Sequence, residues 1–232
     1  MFYVGVKKML FYLVSTIINA FLIILIVDFV LMGFFSFRFS VKSKKNEFVI
    51  TRENKIDFQT NVECAGFSCA YILRHFGTEA NGNDVYQKIP NKMKDGCVYP
   101  KQIKKFLNQN GIKTNYVVGN LNALKNQIAK GNPVIAFIRV QKKQRNLHFV
   151  PVVGYDEENI FLAESIEYLA NCKTEHYNRK LPNKEFLKLW NTSMLKMPVH
   201  THSFFVVKYV RSRHALLKAL TRPFLGFVIN PK

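Results

Sequence analysis

The sequence predicts an α+β domain that is preceded by a membrane-spanning helix. One basis is an apolar run from Met9 to Phe37 that a single charged residue, Asp28, interrupts. A second is the order of patterns after that run: segments with helical periodicity come first and segments rich in β-branched residues follow, which favours helices packed on an antiparallel sheet over alternating βαβ units. The third is composition, since 48% hydrophobic and 21% charged residues in a chain of 232 support a packed core and exclude a disordered chain.

The apolar run is long enough to cross a bilayer, whose core needs roughly 20 such residues. A secretory signal peptide has a shorter apolar region that ends at a small-residue cleavage site. The sequence GFFSFRFS, which begins at Gly33, offers no such site. We therefore expect an uncleaved anchor at residues 9–37, with Asp28 as a charge that reaches toward the headgroups near one helix end. A polar contact with a partner helix is the alternative role for Asp28.

Basic residues flank the run on both sides, with Lys7 and Lys8 before it. After it come Arg38, Lys42, Lys44 and Lys45. Because the more basic flank usually stays in the cytoplasm, this count favours a cytoplasmic C-terminal domain behind a single span. The predicted organisation is a short tail at 1–8, the anchor, a basic linker at 38–54 against lipid headgroups, a domain at 55–210 and a basic tail at 211–232.

The net charge of +19, from 34 Lys and Arg against 15 Asp and Glu, favours an anionic binding partner. The basic residues extend from Lys7 to Lys232 without a helix-turn-helix, zinc-finger or aromatic RNA-binding motif, so we expect no nucleic-acid partner. An anionic membrane surface or simple solubility explains the charge equally well. The acid-free tail at 211–232 fits either an amphipathic segment on the membrane or a loose end.

Cofactor chemistry is not indicated by the sequence. The four cysteines include no Cys-x-x-Cys pair, which argues against a zinc knuckle and against a redox motif. His200 and His202 would share one face of a strand, but no third metal ligand has a suitable spacing. We therefore expect free thiols, no metal and no cofactor.

The domain at 55–210 should contain four helices and four strands. Periodicity and glycine stops place helices at Cys64–Phe76, Tyr99–Asn110, Leu121–Lys130 and Pro182–Trp190. Runs of β-branched and aromatic residues place strands at Pro133–Val140, His148–Tyr155, Asn159–Glu164 and His202–Val210. Short turns connect the middle strands, so these should be neighbours in the sheet.

Several residues have the chemistry of a thiol hydrolase. Cys64 stands at the start of a predicted helix, where the helix dipole and free amides stabilise a thiolate. His148 opens a strand and Glu164 ends the next one, so a hairpin would bring the imidazole and the carboxylate side by side. Gln59 lies five residues before Cys64 and could direct its amide toward the same place as the Cys64 N–H. Taken singly, each residue type is more often structural, as a buried thiol, a core histidine or a surface acid.

Together these residues and their surroundings resemble the bacteriocin-processing cysteine peptidases of the papain-like clan, which remove double-glycine leader peptides. The similar segments, in the family's order, are FQTNVECAGFSCAYILRHFG (58–77), YPKQIKKFLNQNGI (99–112), LKNQIAKGNPVIAFI (124–138), HFVPVVGYDEENIFLAES (148–165) and KLPNKEFLKLW (180–190). The resemblance implies a papain-like fold in which the Cys helix packs on an antiparallel sheet. It further implies a nucleophile at Cys64, a general base and acid at His148, an orienting carboxylate at Glu164 and an oxyanion donor at Gln59.

The chain departs from the family's usual pattern near these residues. Glu164 and Ser165 stand where aspartate and often proline are usual. Gln59 is five rather than six residues before the cysteine, and Ala65 replaces the glycine that usually follows it.

These features predict a stand-alone, membrane-anchored thiol peptidase. Members of the family fused to ABC transporters carry a Walker A sequence and several spans, and this sequence has neither. We expect a peptide or protein substrate, with peptide leaders as one candidate, and contact with membrane lipids through the N-terminal helix. The alternative is a non-catalytic papain-like module that binds a peptide or a protein at the membrane.

Overall fold

The computed structural model describes residues 2–33, 36–43, 45–142, 144, 146–195 and 197–210, so the predicted tail at 211–232 lies outside the described residues. The helices are α1 (Phe2–Met32), α2 (Cys64–His75), α3 (Gly82–Lys88), α4 (Pro100–Gln109), α5 (Leu121–Ile128) and α6 (Asn183–Trp190). The strands are β1 (Ser36–Arg38), β2 (Phe48–Val49), β3 (Ile112–Gly119), β4 (Val134–Arg139), β5 (Leu147–Tyr155), β6 (Asn159–Leu162), β7 (Arg179–Pro182) and β8 (Ser203–Tyr209). The predicted α+β class with an N-terminal apolar helix is confirmed.

A sheet in the order β1-β3-β8-β4-β5-β6-β7 forms the centre of the domain, and β2 pairs with β5 outside this path. The pair of β1 with β3 is parallel, and the other pairs are antiparallel. Every predicted helix and strand of the domain is present, with each end within a few residues of the predicted one. The structure adds α3, β1, β2, β3 and β7, which the sequence patterns did not indicate.

Helices cover both faces of this sheet. Successive side chains of a strand point to opposite faces, so Ile135 of β4 packs with α2, α3 and α4, while its neighbour Ala136 packs with α5 and α6. Because β4 is buried on both faces, its sequence is a continuous hydrophobic run rather than an alternating one. The domain therefore consists of three layers with the sheet in the middle.

Most of α1 stands clear of the domain. No residue from Gly5 to Ile23 is buried, and this part lies within the segment Gly5–Val30 that is long and apolar enough to cross a membrane. Burial begins at Ile24 and Leu25, which are half-buried, and is nearly complete at Asp28, which is 1% exposed. The last turns of α1 thus pack on the domain.

Asp28 does not reach toward lipid headgroups. Its Oδ1 lies 3.1 Å from Nε2 of His200, a residue just before β8. The interpretation of Asp28 as an exposed charge is therefore wrong, because the helix end packs on its own domain and places the carboxylate against a buried histidine. The contact is also made with the domain rather than with a partner helix.

The segment expected to be a linker contributes to the fold. β1 extends the sheet beside β3, and Ser40 and the Asn120 side chain exchange two hydrogen bonds, with Ser40 N–H donating to Oδ1 at 3.1 Å and Nδ2 donating to the Ser40 carbonyl at 2.7 Å. β2 then pairs with β5. The domain therefore begins at β1, well before residue 55.

Candidate active site

Cys64 is the first residue of α2 and is half-buried. The amides of Gly66 and Phe67 both donate to the Glu63 carbonyl, at 2.8 and 3.1 Å. Among the described residues nothing accepts a hydrogen bond from the N–H of Cys64 or Ala65, so these two amides of the first turn are available to a ligand. Since a helix N-terminus favours negative charge, this position suits both a thiolate and an oxyanion.

A buried hydroxyl one helical turn after Cys64 attaches this face of α2 to the sheet. Ser68 follows Cys64 by four residues and therefore lies on the same face of α2. Its Oγ donates to the carbonyl of Phe149 at 2.9 Å, which joins α2 to β5 directly beside His148. Cys69 lies on a different face, and its complete burial raises the pKa of its thiol. Of these two cysteines, only Cys64 faces the imidazole.

The structure brings Cys64, His148 and Glu164 together. The Cys64 side chain lies close enough to the His148 imidazole to help raise the pKa of the ring. Nε2 of His148 lies 2.8 Å from Oε1 of Glu164, which leaves Nδ1 as the ring nitrogen that faces the sulfur. The hairpin of β5 and β6 accounts for this meeting, because His148 begins one strand and Glu164 follows the end of the other.

Glu164 is 0% exposed, and several groups compensate its charge. Arg179 of β7 donates from Nη1 to Oε2 at 2.8 Å, and the amide of Ile166 donates to Oε1 at 2.8 Å. Asn178 holds the backbone of Glu164, since its Oδ1 accepts from the Glu164 N–H at 2.7 Å and its Nδ2 donates to the Glu164 carbonyl at 2.9 Å. The extra methylene of glutamate is thus accommodated by specific partners on the next strand.

Sequence reasoning missed Arg179 and Asn178. The available signal was the alternation in β7, where Arg179 and Leu181 are buried and Lys180 is exposed. An arginine on the buried face of a strand needs an anion, and the acid at the end of the preceding strand is its nearest candidate.

Electrostatics keeps both members of the His148–Glu164 pair charged. Burial of His148 opposes its charge, but the Glu164 carboxylate and the Cys64 side chain together outweigh burial and raise the pKa of the imidazole to about 10. Burial also opposes the charge on Glu164, yet the interaction with His148, followed by that with Arg179, lowers the pKa of the carboxyl to about 2. The pair is therefore an imidazolium and a carboxylate at neutral pH.

Gln59 lies beside the site with most of its amide already engaged. Its Oε1 accepts from Ser165 Oγ at 2.7 Å, and its Nε2 donates to the Asn61 carbonyl at 2.5 Å. The backbone N–H of Gln59 also donates to the Ser165 carbonyl at 2.8 Å. A primary amide carries two N–H groups, so one remains for a ligand. Ser165, at the position where proline is common in the resembling peptidases, therefore orients Gln59.

The remaining candidates lie elsewhere. His200 contacts Asp28, and the His202 ring packs against Trp190 with centroids 5.0 Å apart. Within the described part of the chain no group of three or more His, Cys, Asp or Glu side chains is arranged to hold a metal ion. All four cysteines are free thiols.

Comparison with solved structures identifies the fold. A C39-like peptidase from Bacillus anthracis is 16% identical, with a TM-score of 0.50 over 72% of this chain and 99% of that chain. The peptidase domain of Streptococcus ComA, a bifunctional ABC transporter of a quorum-sensing pathway, is 12% identical, with a TM-score of 0.49 over 68% of this chain and 99% of that chain. A double glycine motif protease from an AMS/PCAT transporter, solved with a leader peptide, is 16% identical, with a TM-score of 0.45 over 70% and 98%. The match to the Bacillus anthracis structure confirms the predicted peptidase fold.

Sequence comparison gives the family. No curated protein matches the chain. The model of the Peptidase_C39 like family matches residues 49–194, which include Cys64, His148 and Glu164. This match covers more than half of the chain and includes every strand from β4 to β7. The chain therefore belongs to the Peptidase_C39 like family.

Proposed function

We propose that this protein is a membrane-anchored cysteine peptidase that hydrolyses peptide bonds through Cys64, His148 and Glu164. One observation carries the proposal: a single buried imidazole is bound by a carboxylate through Nε2, and the thiol at the N-terminus of α2 is near enough to influence the charge of the same ring. A charged imidazole beside a thiol favours the thiolate, which is the nucleophile in this class of chemistry. Family membership supports the same activity.

The reaction begins when the Cys64 sulfur attacks the carbonyl carbon of the scissile bond and forms a C–S bond. The electron pair of the carbonyl moves to its oxygen, which becomes the oxyanion. As the intermediate collapses, the C–N bond breaks and His148 transfers a proton from Nδ1 to the departing amine. A thioester of Cys64 remains. A water then gives one proton to His148 while its oxygen bonds to the acyl carbon and the C–S bond breaks, which releases the acid and restores the Cys64 thiolate beside the imidazolium.

Two donors are positioned for the oxyanion. The N–H of Cys64 has no acceptor among the described residues, and Gln59 retains one side-chain N–H after its bond to Asn61. Donors that are fixed before the reaction stabilise the developing charge without reorganisation. The contacts of Gln59 with Ser165 and Asn61 supply this fixation.

Glu164 acts by holding the imidazole rather than by accepting its proton. Its carboxyl remains ionised because His148, Arg179 and the Ile166 amide stabilise its charge. It therefore keeps Nδ1 directed at Cys64 and stabilises the imidazolium.

We propose peptides as the substrate class, with peptide leaders as one candidate, and an active domain on the cytoplasmic side of a single span. Family membership supports the first point. The distribution of Lys and Arg around α1 supports the second. The competing function is a binding module that holds a peptide without cleaving it, which the first prediction separates from catalysis.

Cys64→Ala and His148→Ala should each lower peptide turnover by on the order of 10⁴-fold or more, since nucleophile and base act as a unit. The measurement is cleavage of a proteome-derived peptide library by the full chain in detergent, with new termini identified by mass spectrometry. Cys172→Ala, at a half-buried cysteine to which we assign no role in the reaction, is the matched control and should keep full activity. A binding module would bind library peptides and leave them intact in the wild type.

Gln59→Glu should lower turnover by about 100- to 1000-fold, the usual cost of one oxyanion donor. This change keeps an oxygen acceptor for Ser165 but removes both side-chain N–H groups, including the one that binds the Asn61 carbonyl, so stability is measured beside turnover. The comparison is kcat of both proteins on one cleaved library peptide, beside their unfolding midpoints. Unchanged kcat would assign the oxyanion hole to other donors.

The stability of the chain should depend on pH through the His148–Glu164 pair. The pKa of His148 is raised from 6.5 to about 10, so its contribution is complete below pH 6.5 and is lost as pH rises through 10. The pKa of Glu164 is lowered from 4.5 to about 2, so its contribution is present above pH 4.5 and is lost as pH falls through 2. The advantage of wild type over Glu164→Gln in free energy of unfolding should reach about 3 kcal/mol and peak between these two ordinary values.

Denaturant unfolding in detergent, followed by the fluorescence of the buried Trp190, measures this difference. A constant difference from acid to alkaline pH would show that Glu164 and His148 are not an ion pair.

A further inference from the structure

The strand ends around His148 define one end of the sheet, which we call the site end. Ile138 near the end of β4 pairs with His148 at the start of β5. β8 runs beside β4 in the opposite sense and begins at Ser203, so its start lies at the same end. His200 precedes β8 and therefore also lies at the site end. The opposite end carries the turn between β5 and β6, which includes Glu157.

The anchor helix docks at the site end. Asp28 meets His200 there at 3.1 Å, and the carbonyl of Val30 accepts from Nζ of Lys101 at 2.8 Å, at the start of α4. Gly33 continues this contact, because a side chain on it would bring Cβ to 2.9 Å from the Cβ of Lys101. Glycine is required at this position on two counts, since its φ of +86° is also unfavourable for other residues.

The Asp28–His200 contact is enclosed within the interface between α1 and the domain. Both side chains are nearly or fully buried, at 1% and 0% exposure. The far side of the His200 ring meets Tyr116, with Nδ1 3.4 Å from the hydroxyl, and this hydroxyl donates to Ser203 Oγ at 2.8 Å. Separating α1 from the domain would break this 3.1 Å contact and uncover two side chains that are now buried against each other.

The exposed part of α1 matches a bilayer in length. Residues 5–23 carry no buried side chain, and 19 residues of helix extend about 28 Å, close to the roughly 30 Å of a hydrocarbon core. The membrane surface then falls near Ile24, about one turn before Asp28. Little chain is left between that surface and the docking contact.

We propose that α1 and the Asp28–His200 contact hold the domain with its site end toward the bilayer, so that Cys64 and His148 act on peptide segments at the membrane surface. The orientation follows from the docking alone, and only the substrate class rests on the proposed peptidase function. Neighbouring strands are about 4.8 Å apart, so His148 on β5 is about 10 Å across the sheet from β8, beside which α1 docks.

Energy transfer from single cysteine reporters to a lipid layer tests the orientation without catalysis. The full chain, with Cys97 and Cys172 replaced by Ser and the buried Cys69 retained, is labelled with a fluorophore at Cys64. A second protein carries Cys64→Ala and Glu157→Cys, which moves the label to the opposite end. Both enter vesicles of phosphatidylcholine and phosphatidylglycerol that contain a rhodamine-headgroup acceptor in the leaflet facing the domain.

The label at Cys64 should lie closer to the acceptor layer by up to about 26 Å, the length of a nine-residue strand such as β5. Leu195→Cys in the Cys64→Ala background, an exposed position in the segment that Arg139 binds at the site end, should behave like Cys64. Equal distances for the two ends, or a nearer Glu157 label, would overturn the proposal.

The role of the contact is tested by Asp28→Ala in both reporter proteins. Loss of the contact should reduce the difference between the label-to-acceptor distances of the two proteins, because the domain can then rotate relative to α1. An unchanged difference would show that the Asp28–His200 contact does not determine the orientation of the domain. The substrate class is tested by comparing cleavage of a lipid-tethered library peptide with cleavage of its soluble form. Preferential cleavage of the tethered form would support substrates at the membrane surface. Equal cleavage of both would refute this substrate class while leaving the peptidase activity intact.

Discussion

The buried carboxylate of Glu164 is the constraint on which the rest of the site depends. A carboxylate without solvent costs several kcal/mol unless charges and hydrogen bonds compensate it. Here the compensation comes from His148 on β5, Arg179 on β7 and the Ile166 amide after β6. Three adjacent strands must therefore pair in one register for the charge to be stable. The same register fixes the imidazole, so stability and catalytic geometry have one cause.

A second link positions Cys64, the proposed nucleophile, near that imidazole. The hydroxyl of Ser68 binds the carbonyl of Phe149 and so attaches α2 to the strand that carries His148. Because Cys64 lies one turn earlier on the same helix face, this link also holds its side chain near the imidazole. The anchor helix docks at this end of the sheet as well, through Asp28 and His200. The candidate membrane helix and the proposed active site thereby belong to one packed unit.

Local patterns account for what the sequence could predict. The elements that carry Cys64 and His148 are strongly periodic or rich in β-branched residues, and both residues stand at element ends where position alone suggests chemistry. The partners of those residues depend on contacts between distant segments. Arg179 meets Glu164 only through the pairing of β6 with β7, and Asp28 meets His200 only once α1 has packed on the domain. β3 was missed because Lys113 and Asn115 interrupt its apolar residues on the exposed face.

A covalent intermediate on Cys64 is the most direct test of the central claim. The full chain is mixed with the peptide library in detergent, quenched with acid within the first turnovers, and analysed by intact-mass and peptide-mapping mass spectrometry. The account predicts an acyl adduct on Cys64, with the mass of the fragment N-terminal to the cleaved bond, which is absent from Cys64→Ala. Cleavage products without an adduct on Cys64, or an adduct on Cys97 in its place, would contradict it.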